Sequence, residues 1–153
     1  MGLNPGNFVS LSILARTYYD PAALASPSTV SATLVDVDAA NLAVTFTPPP
    51  SGVVLVELNA LASVTGGISD TYLGWGLRVG AAEVARSHAR VLGPLAAQTR
   101  MPYLVKFTGL VPAVAVTWKW AHRREAGTGT VFHLTGGEAS TSVGPAVMTV
   151  YAG

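Results

Sequence analysis

Residues 41–64, with the sequence NLAVTFTPPPSGVVLVELNALASV, decide how the rest of the chain must fold. In residues 43–46 apolar and polar side chains alternate, which is the pattern of a strand with one buried face. Three consecutive prolines at residues 48–50 remove backbone donors, so no sheet continues through them. In residues 53–60 the alternation returns and puts valine, leucine and alanine opposite Glu57. The stretch predicts two strands joined by a stiff turn, and further strands must cover their apolar face.

Further alternating segments follow, separated by turns that are rich in glycine and proline. The predicted strands lie at residues 30–37, 72–79, 103–107, 114–120, 131–134 and 146–151. Residues 83–91 fit either a strand or a short helix, and no long helical pattern occurs. Short strands without a long helix indicate an all-β protein. We expect a β-sandwich of seven to nine strands.

Two of these segments carry unusual faces. In residues 72–79 glycine takes alternate positions, and the bare face formed by Gly74 and Gly76 suits the close approach of another sheet, backbone or subunit. In residues 114–120 both tryptophans, Trp118 and Trp120, share a face with valines. A continuous apolar face of this kind is typical of a core, which we favour over a sugar-binding platform.

The first 28 residues lack the regular alternation of the rest. We therefore divide the chain into an N-terminal arm, residues 1–28, and a sandwich domain, residues 29–153. The apolar side chains of the arm either lie along a neighbouring subunit or form a first strand of the chain's own sheet, and the sequence leaves both alternatives open. The residues predicted to contact a partner, either a neighbouring subunit or a larger assembly, are Phe8, Leu11, Ile13, Tyr18 and Tyr19.

Charged residues are scarce, at 11% of the chain against about 25% in an ordinary soluble domain. Such a chain exposes apolar and weakly polar surface, which tends to associate. One interpretation is that copies of the chain, or a larger assembly, cover part of this surface. The alternative is a monomer that is solvated by serine and threonine. We favour assembly because large exposed apolar patches are uncommon on monomers.

The composition also argues against several partners. The net charge is +1 and no basic run extends beyond residues 122–124, so we expect no binding to nucleic acid. The chain has no cysteine, which fits synthesis in a reducing cytosol. The first fifteen residues contain no lysine or arginine, so we expect no secretion signal. No apolar run approaches the ~20 residues of a membrane-spanning helix, and we expect no membrane partner.

The chain lacks a recognisable catalytic constellation. Ser87 and His88 are neighbours in sequence, and neighbours on a strand point to opposite faces, so they do not form a nucleophile and its base. Neither a G-x-S-x-G elbow nor a phosphate-binding G-x-x-x-x-G-K-[ST] loop occurs. We therefore expect a protein that is not an enzyme and has no cofactor.

No metal site is predicted either. Three histidines, at positions 88, 122 and 133, lack the spacing of a zinc site. Residues 36–41, with Asp at two positions and Asn at a third, lack the glycine and the bidentate glutamate of a calcium-binding loop. A solvated turn is the better interpretation of that segment.

Four runs together resemble a module of tail and virion structural proteins of actinobacterial phages. The runs are VDVDAANLAVTFTPPPSGVVLVELNA, TYLGWGLRVG, FTGLVPAVAVTWKWAHR and GPAVMTVYAG, and the resemblance extends over residues 29–153. That module is similar to the jelly-roll heads of the tumour necrosis factor and complement–collagen superfamily. The resemblance implies a jelly-roll β-sandwich of about eight antiparallel strands. It also implies a compact homotrimer with aromatic residues packed in the core or around a threefold axis. The residues to which this role is carried over are Trp75, Tyr103, Phe107, Trp118, Trp120 and Tyr151.

The resemblance also implies a non-enzymatic virion protein. The phage module often caps a long fibre, whereas here only a short arm precedes it, so we expect a homotrimeric capsid decoration protein, also called a cement protein. It would bind the major capsid protein on the capsid surface of the virion, after synthesis in the host cytoplasm. The alternative is the receptor-binding head of a tail fibre or a minor tail protein, whose loops at residues 66–71 and 122–129 would contact a host glycan. Within the second loop, His122, Arg123 and Arg124 are predicted to contact a ligand or a neighbouring subunit.

Overall fold

A computed structural model describes residues 11–19, 27–65, 72–85, 87, 89–92, 99–126, 130–134 and 146–153. These residues form strands, turns and irregular segments, and none of them is helical. The strands are β1 (Ile13–Tyr19), β2 (Ser28–Thr29), β3 (Val35–Asp36), β4 (Ala43–Phe46), β5 (Val54–Thr65), β6 (Tyr72–Val79), β7 (Ala82–Glu83), β8 (Ala89–Leu92), β9 (Thr99–Phe107), β10 (Val116–Ala126), β11 (Thr130–Leu134) and β12 (Ala146–Ala152). The prediction of an all-β protein is confirmed.

The first sheet is built around β5, the long strand that follows the proline turn. One edge of β5 pairs with β9. The other edge pairs with β12 along its first half and with β11 along its second half. β1 continues the sheet beyond β12, and β2 continues it beyond β11. All of these pairings are antiparallel.

The second sheet is built around β10. One edge of β10 pairs with β6, and the other edge pairs with β4 and then with β3. The far edge of β6 pairs with β7 and β8. The residues on one side of each sheet point into a common core.

The twelve described strands can be grouped into eight consecutive strands of the sandwich, numbered 1 to 8 in chain order. Four of these consist of two short segments each, namely β1 with β2, β3 with β4, β7 with β8, and β11 with β12. In this numbering the first sheet has the order 1-8-3-6 and the second 2-7-4-5. Position 1 therefore pairs with 8, 2 with 7, 3 with 6 and 4 with 5, as in an antiparallel ribbon that has been rolled up. This is the connectivity of a jelly roll. The predicted sandwich of about eight antiparallel strands is confirmed.

The core contains the apolar faces that the alternation predicted. Three tryptophans are buried there, at positions 75, 118 and 120, and Phe107 is only 6% exposed. Trp75 and Trp120 meet edge to face with ring centroids 4.9 Å apart, and Phe107 lies 4.7 Å from Trp118. Edge-to-face pairs of this kind add to the free energy of burial. The Phe107–Trp118 pair joins the first sheet to the second, whereas Trp75 and Trp120 are neighbours within the second sheet.

The bare glycine face of β6 is covered from within the chain. A side chain at Gly76 would come within 2.9 Å of a methyl group of Leu34, and one at Gly74 would clash with the side chain of Glu125. Ser87 lies over the same strand and accepts a hydrogen bond from the Leu77 backbone N–H at 2.8 Å. Glycine at these positions allows the chain's own side chains to pack directly on the sheet.

Two strand predictions differ from the structure. Residues 30–37 do not form one strand, because the Ser31 hydroxyl accepts a hydrogen bond from the Thr33 N–H at 3.1 Å and donates one to the Thr33 carbonyl at 2.8 Å. Such local bonds favour a turn over a sheet ladder. The strand predicted from residue 114 begins only at Val116, and Val114 is exposed in the preceding loop. The segment at residues 83–91, left open between strand and helix, contributes to β7 and β8.

The assignment of His122, Arg123 and Arg124 to a loop was wrong. All three lie in β10 and pair with residues of β6. The alternation of β10 continues through the charged residues, so that His122 points into the sandwich and is 1% exposed. The run of basic residues led to the prediction of a solvent-exposed loop. In the structure the alternation of the strand determines which side of the sheet each side chain lies on.

The N-terminal segment contributes to the first sheet. β1 pairs with the last strand along Ile13–Tyr19, with a bulge near Ala15. Of the two alternatives for the arm, residues 13–19 therefore show the strand in the chain's own sheet. Phe8 lies outside the described residues.

Candidate functional site

The outer face of the first sheet is a flat array of twelve side chains in three rows across β1, β12, β5 and β9. The pairing registers give the rows Ile13–Tyr151–Leu55–Lys106, Arg16–Thr149–Glu57–Leu104 and Tyr18–Val147–Asn59–Pro102. We call this array the outer face. Its members lie opposite the buried residues of the same strands, because side chains alternate between the two sides of a sheet.

The outer face mixes apolar and polar side chains, and it is most exposed on its two outer strands, β1 and β9, whereas Thr149 in its centre is buried. Leu104 is 62% exposed, Tyr18 54% and Ile13 52%. Three of its twelve residues are charged, namely Arg16, Glu57 and Lys106, which is a larger share than the 11% of the whole chain. Large apolar side chains that are exposed on one face of a sheet can mark a site of interaction. This face is therefore the first candidate for a functional surface.

The polar groups of the outer face are tied to one another. The Tyr151 hydroxyl donates a hydrogen bond to the Glu57 carboxylate at 2.7 Å, and this bond, with burial, raises the pKa of Tyr151. The Arg16 Nε donates to the Thr149 hydroxyl at 3.1 Å, and its guanidinium lies 5.6 Å from the centre of the Tyr18 ring. Because these side chains are already oriented, less side-chain conformational entropy is lost when a partner covers the face.

A groove of about 480 Å³ runs along the β9 side of the outer face. It is lined by Leu11, Glu57, Pro102, Tyr103, Leu104 and Tyr151. Apart from the carboxylate and the tyrosine hydroxyls, its lining is apolar. The volume lies within the range of pockets that hold a small ligand or a few side chains.

A second exposed surface lies at the end of the sandwich, where residues 47–53 meet residues 108–115. We call these two segments the tip. Neither contains a charged residue, and Val111 and Val114 are 65% and 53% exposed. The tip therefore presents aliphatic side chains without competing charge.

Backbone hydrogen bonds hold the two segments of the tip together. The Leu110 N–H donates to the Gly52 carbonyl at 3.1 Å, and the Ala113 N–H donates to the Pro48 carbonyl at 3.3 Å. Gly52 has φ +63°, and a side chain there would come within 2.6 Å of the Leu110 carbonyl oxygen. Glycine is favoured here because it adopts a positive φ without strain and has no side chain to clash with the Leu110 carbonyl. Ala113 adopts φ 60°, a conformation that costs a non-glycine residue free energy.

The outer side of the second sheet is different, because its charges are paired within the chain. Asp36 accepts hydrogen bonds from Arg78 at 2.8 Å and from Lys119 at 3.2 Å, which joins three strands. Arg123 bonds the carboxylate of Glu125 at 2.6 Å.

The residues predicted as a ligand or subunit contact in β10 do not form a common exposed group. His122 is buried beside the core, and burial lowers its pKa from 6.5 to about 4. Arg123 is paired with Glu125 of its own chain. Arg124 is half-buried, and its backbone N–H donates to the Ser31 carbonyl at 2.7 Å.

The segment at residues 36–41 forms a closed turn. The carboxylate of Asp38 accepts hydrogen bonds from the backbone N–H groups of Ala40 and Asn41, both at 2.9 Å, and from the Asn41 amide at 2.8 Å. Burial opposes ionisation of Asp38, but these bonds outweigh it and lower its pKa. Within the described residues, no three His, Cys, Asp or Glu side chains are grouped to hold a metal ion. His88 and the side chain of His133 lie outside what the structure describes.

The predicted partner contacts divide between the outer face and the core. Ile13 and Tyr18 belong to the outer face, and Leu11 lines the groove. Tyr19 points inward and is 3% exposed. Of the aromatic residues carried over from the resemblance, Tyr103 and Tyr151 line the groove, while the other four are buried in the core.

Sequence reasoning missed the part of the outer face that β9 supplies. Leu104 and Pro102 lie on the face of β9 opposite Phe107. The alternation of residues 103–107 was recognised, and it places Leu104 and Lys106 together on the polar side. An exposed leucine on that side was the signal that could have indicated an interaction surface.

No protein-family model and no curated protein matches the chain. Among solved structures, the chain is similar to one from the structure of infectious bursal disease virus, Gt strain, with 11% sequence identity and a TM-score of 0.44. The similarity covers 99% of this chain and 41% of that chain, so the chain spans less than half of its neighbour's length. Within the described residues, no helix is long and apolar enough to cross a membrane.

Proposed function

We propose that the protein is a non-enzymatic virion structural protein, namely a homotrimeric decoration protein that binds the major capsid protein on the surface of a bacteriophage capsid. The observation that carries the proposal is the outer face, which exposes Leu104, Tyr18 and Ile13 to solvent. The phage resemblance of residues 29–153 supplies the biological setting. Jelly rolls are common in capsid proteins, which agrees with that setting, although they also serve lectins and cupins.

The size of the outer face supports an assembly role. With strands about 4.8 Å apart and a rise of about 3.4 Å per residue, its twelve side chains cover roughly 400 Å² of the sheet plane. Seven of these side chains are aliphatic or aromatic, so the apolar part of the face is smaller than this area. A standard stable interface buries about 800 Å² on each partner, so the outer face would supply a large part of one.

The described polar groups support a role without catalysis. Ser87 is fully buried, and its hydroxyl lies between the N–H and the carbonyl of Leu77, at 2.8 and 3.3 Å. It therefore anchors backbone and has no access to a substrate. The side chains of Glu57 and Arg16 are hydrogen-bonded to Tyr151 and Thr149 on the outer face. Polar groups whose hydrogen bonds are already made suit a surface that packs against a partner.

A second candidate function is the receptor-binding head of a phage tail fibre or minor tail protein. The exposed ring of Tyr18, with Arg16 beside it and Glu57 in the same array, favours this reading, because sugars stack on aromatic rings and bond to charged groups. In that case the outer face would bind a host glycan instead of a capsid.

The number of copies on each particle separates the two functions. Virions treated with a chaotrope should release the protein in hundreds of copies if it decorates the capsid. Fewer than about twelve copies per particle would contradict the decoration role and favour the tail role.

Binding to undecorated capsids tests the surface itself. Tyr18→Ser, on the outer face, should weaken capsid binding, whereas Val79→Ser, an equally exposed site at the edge of the second sheet, should not. Equal binding by both variants would contradict a role for the outer face. Specific binding of a host glycan that is lost in Tyr18→Ser would support the tail function.

A further inference from the structure

The Glu57 carboxylate, which lines the groove, has no cationic partner among the described residues. Its Oε2 accepts a hydrogen bond from the Tyr151 hydroxyl at 2.7 Å, and that donor is neutral. The two cations of the outer face lie elsewhere, since the Arg16 side chain bonds Thr149 and Lys106 is exposed at a diagonal position on β9. The described part of the chain therefore leaves this acid without a counter-charge.

Other acidic side chains of the described residues are neutralised or capped within the chain. Asp36 bonds two cations of other strands, at 2.8 and 3.2 Å, and Glu125 bonds Arg123 at 2.6 Å. Asp38 accepts three hydrogen bonds from its own turn. Glu57 differs from these acids, although it is half-buried on the surface that the proposed function assigns to a partner.

The missing counter-charge becomes important when a partner covers the outer face. In the free subunit the half-buried carboxylate of Glu57 keeps part of its contact with water. A partner that fills the groove removes this water, and a carboxylate that loses its water without gaining a cation is strongly destabilising. An uncharged occupant is therefore disfavoured, and the charge of the groove favours a cationic one.

The rest of the groove suits the stem of a long side chain. Its apolar lining comes from Leu11, Pro102 and Leu104, beside the rings of Tyr103 and Tyr151. A lysine lays its methylene groups on such a lining while its ammonium group reaches a polar partner at the end. Tyrosine rings near the site also favour a cation. The volume of about 480 Å³ is sufficient for one such side chain and parts of its neighbours.

Lysine fits this carboxylate better than arginine does. Arginine typically binds a carboxylate through two parallel N–H bonds. Here Oε2 of Glu57 already accepts the Tyr151 hydroxyl, which leaves Oε1 as the oxygen without a bond. An ammonium group is a compact charge that binds at a single oxygen.

We propose that the groove binds a lysine side chain of the protein that covers the outer face, with the ammonium group on Glu57 and the methylene stem against Pro102 and Leu104. The inference rests on the proposed function, in which that partner is the major capsid protein, and it names the chemical group that the partner presents. Polar groups in an otherwise apolar pocket fix the orientation of what binds, so this contact would set the position of the protein on the capsid.

Two model compounds test the groove without a capsid. Nα-acetyl-lysine methylamide should shift the NMR resonances of Glu57 and Leu104 in the full chain. Nα-acetyl-norleucine methylamide has the same four side-chain carbons and no charge, and it should bind at least about tenfold more weakly. Glu57→Gln keeps an acceptor for Tyr151 and removes the charge, so it should abolish this preference. Glu83→Gln, at an exposed acid of β7 in the second sheet, is the matched control and should retain it.

Undecorated capsids test the same contact in the assembly. Glu57→Gln should raise the dissociation constant for capsids about tenfold or more, whereas Glu83→Gln should leave it unchanged. Acetylation of the capsid lysines removes their charge, and reductive dimethylation keeps it. The unchanged chain should therefore bind dimethylated capsids normally and acetylated capsids about tenfold more weakly, and Glu57→Gln should lose much less on acetylation.

The outcomes separate this inference from the function on which it rests. If the unchanged chain binds capsids and Glu57→Gln binds them equally well, or loses as much on acetylation as the unchanged chain does, the lysine contact is overturned while the decoration role stands. If the lysine compound binds no better than the norleucine compound, the inference is overturned as well. If the unchanged chain binds no capsid, the proposed function fails, and the two compounds still decide whether the groove takes an alkylammonium group.

Discussion

Replacing Gly52 by alanine tests whether the tip is locked as described. Gly52 has φ +63°, and a Cβ at this position would lie 2.6 Å from the carbonyl oxygen of Leu110. That oxygen belongs to the backbone, so it cannot turn aside as a flexible side chain would. Two positions provide matched controls: Gly109 has φ +76° and Gly80 has φ +58°, and a Cβ at either meets nothing within 4 Å.

The expected free energies follow from these differences. Alanine at Gly109 or Gly80 experiences only the unfavourable backbone conformation, which costs about 1 kcal/mol. Alanine at Gly52 experiences the same cost and, in addition, overpacking against a fixed atom, which typically costs 1–3 kcal/mol. We therefore expect Gly52→Ala to lower the free energy of unfolding by about 3 kcal/mol and the melting temperature by roughly 10 °C.

Urea unfolding of the three variants measures the effect. All are compared at one protein concentration, because assembly would make stability depend on concentration. The slope against urea should stay constant, so that the midpoint reports stability. If Gly52→Ala is no less stable than Gly109→Ala, the contact between residues 47–53 and 108–115 is not as tight as described, and the argument for a rigid tip fails.

Three further changes have defined outcomes. Ala113→Gly should raise the free energy of unfolding by about 1 kcal/mol in urea titrations, because it relieves a φ of 60°; a loss of stability would contradict that strain. His122 has a pKa of about 4 when folded and about 6.5 when unfolded, so the unfolded chain gains a proton first and stability should fall by about 3 kcal/mol as the pH drops from 6.5 to 4. His122→Gln should remove that part of the pH profile, and an unchanged profile would show that His122 is not buried in the neutral form. Asp36→Asn should cost about 1–2 kcal/mol, because two cations lose their shared partner, and the cost should shrink in high salt; no change would mean that the three-strand ion cluster is fully screened.

The sequence predicts the fold well because the strand period is a local property. The alternation around the proline turn identified β5 and its buried face, and the same argument placed Trp118 and Trp120 on an apolar face. The turn at residues 31–33 was missed, because hydroxyl side chains that bond their own backbone have the same spacing in sequence as those on a strand.

The candidate site was harder to predict, because it arises from strands that are distant in sequence. The outer face combines β1 and β12 from the two ends of the chain with β5 and β9 from its middle. Only the pairing registers reveal that Arg16, Thr149, Glu57 and Leu104 form one row. Residues 122–124 were predicted to form an exposed loop because they are basic, although the strand alternation continues through them. The structure places them in β10, with His122 buried.

The central claim is that a charge-poor jelly roll is stable in solution because identical copies cover its apolar surface. Native mass measurement of the purified full chain, over a wide range of concentrations, tests it most directly. The proposed homotrimer should give a single species with three times the 15.7 kDa mass of the chain. A monodisperse species of 15.7 kDa that persists at high concentration would contradict it.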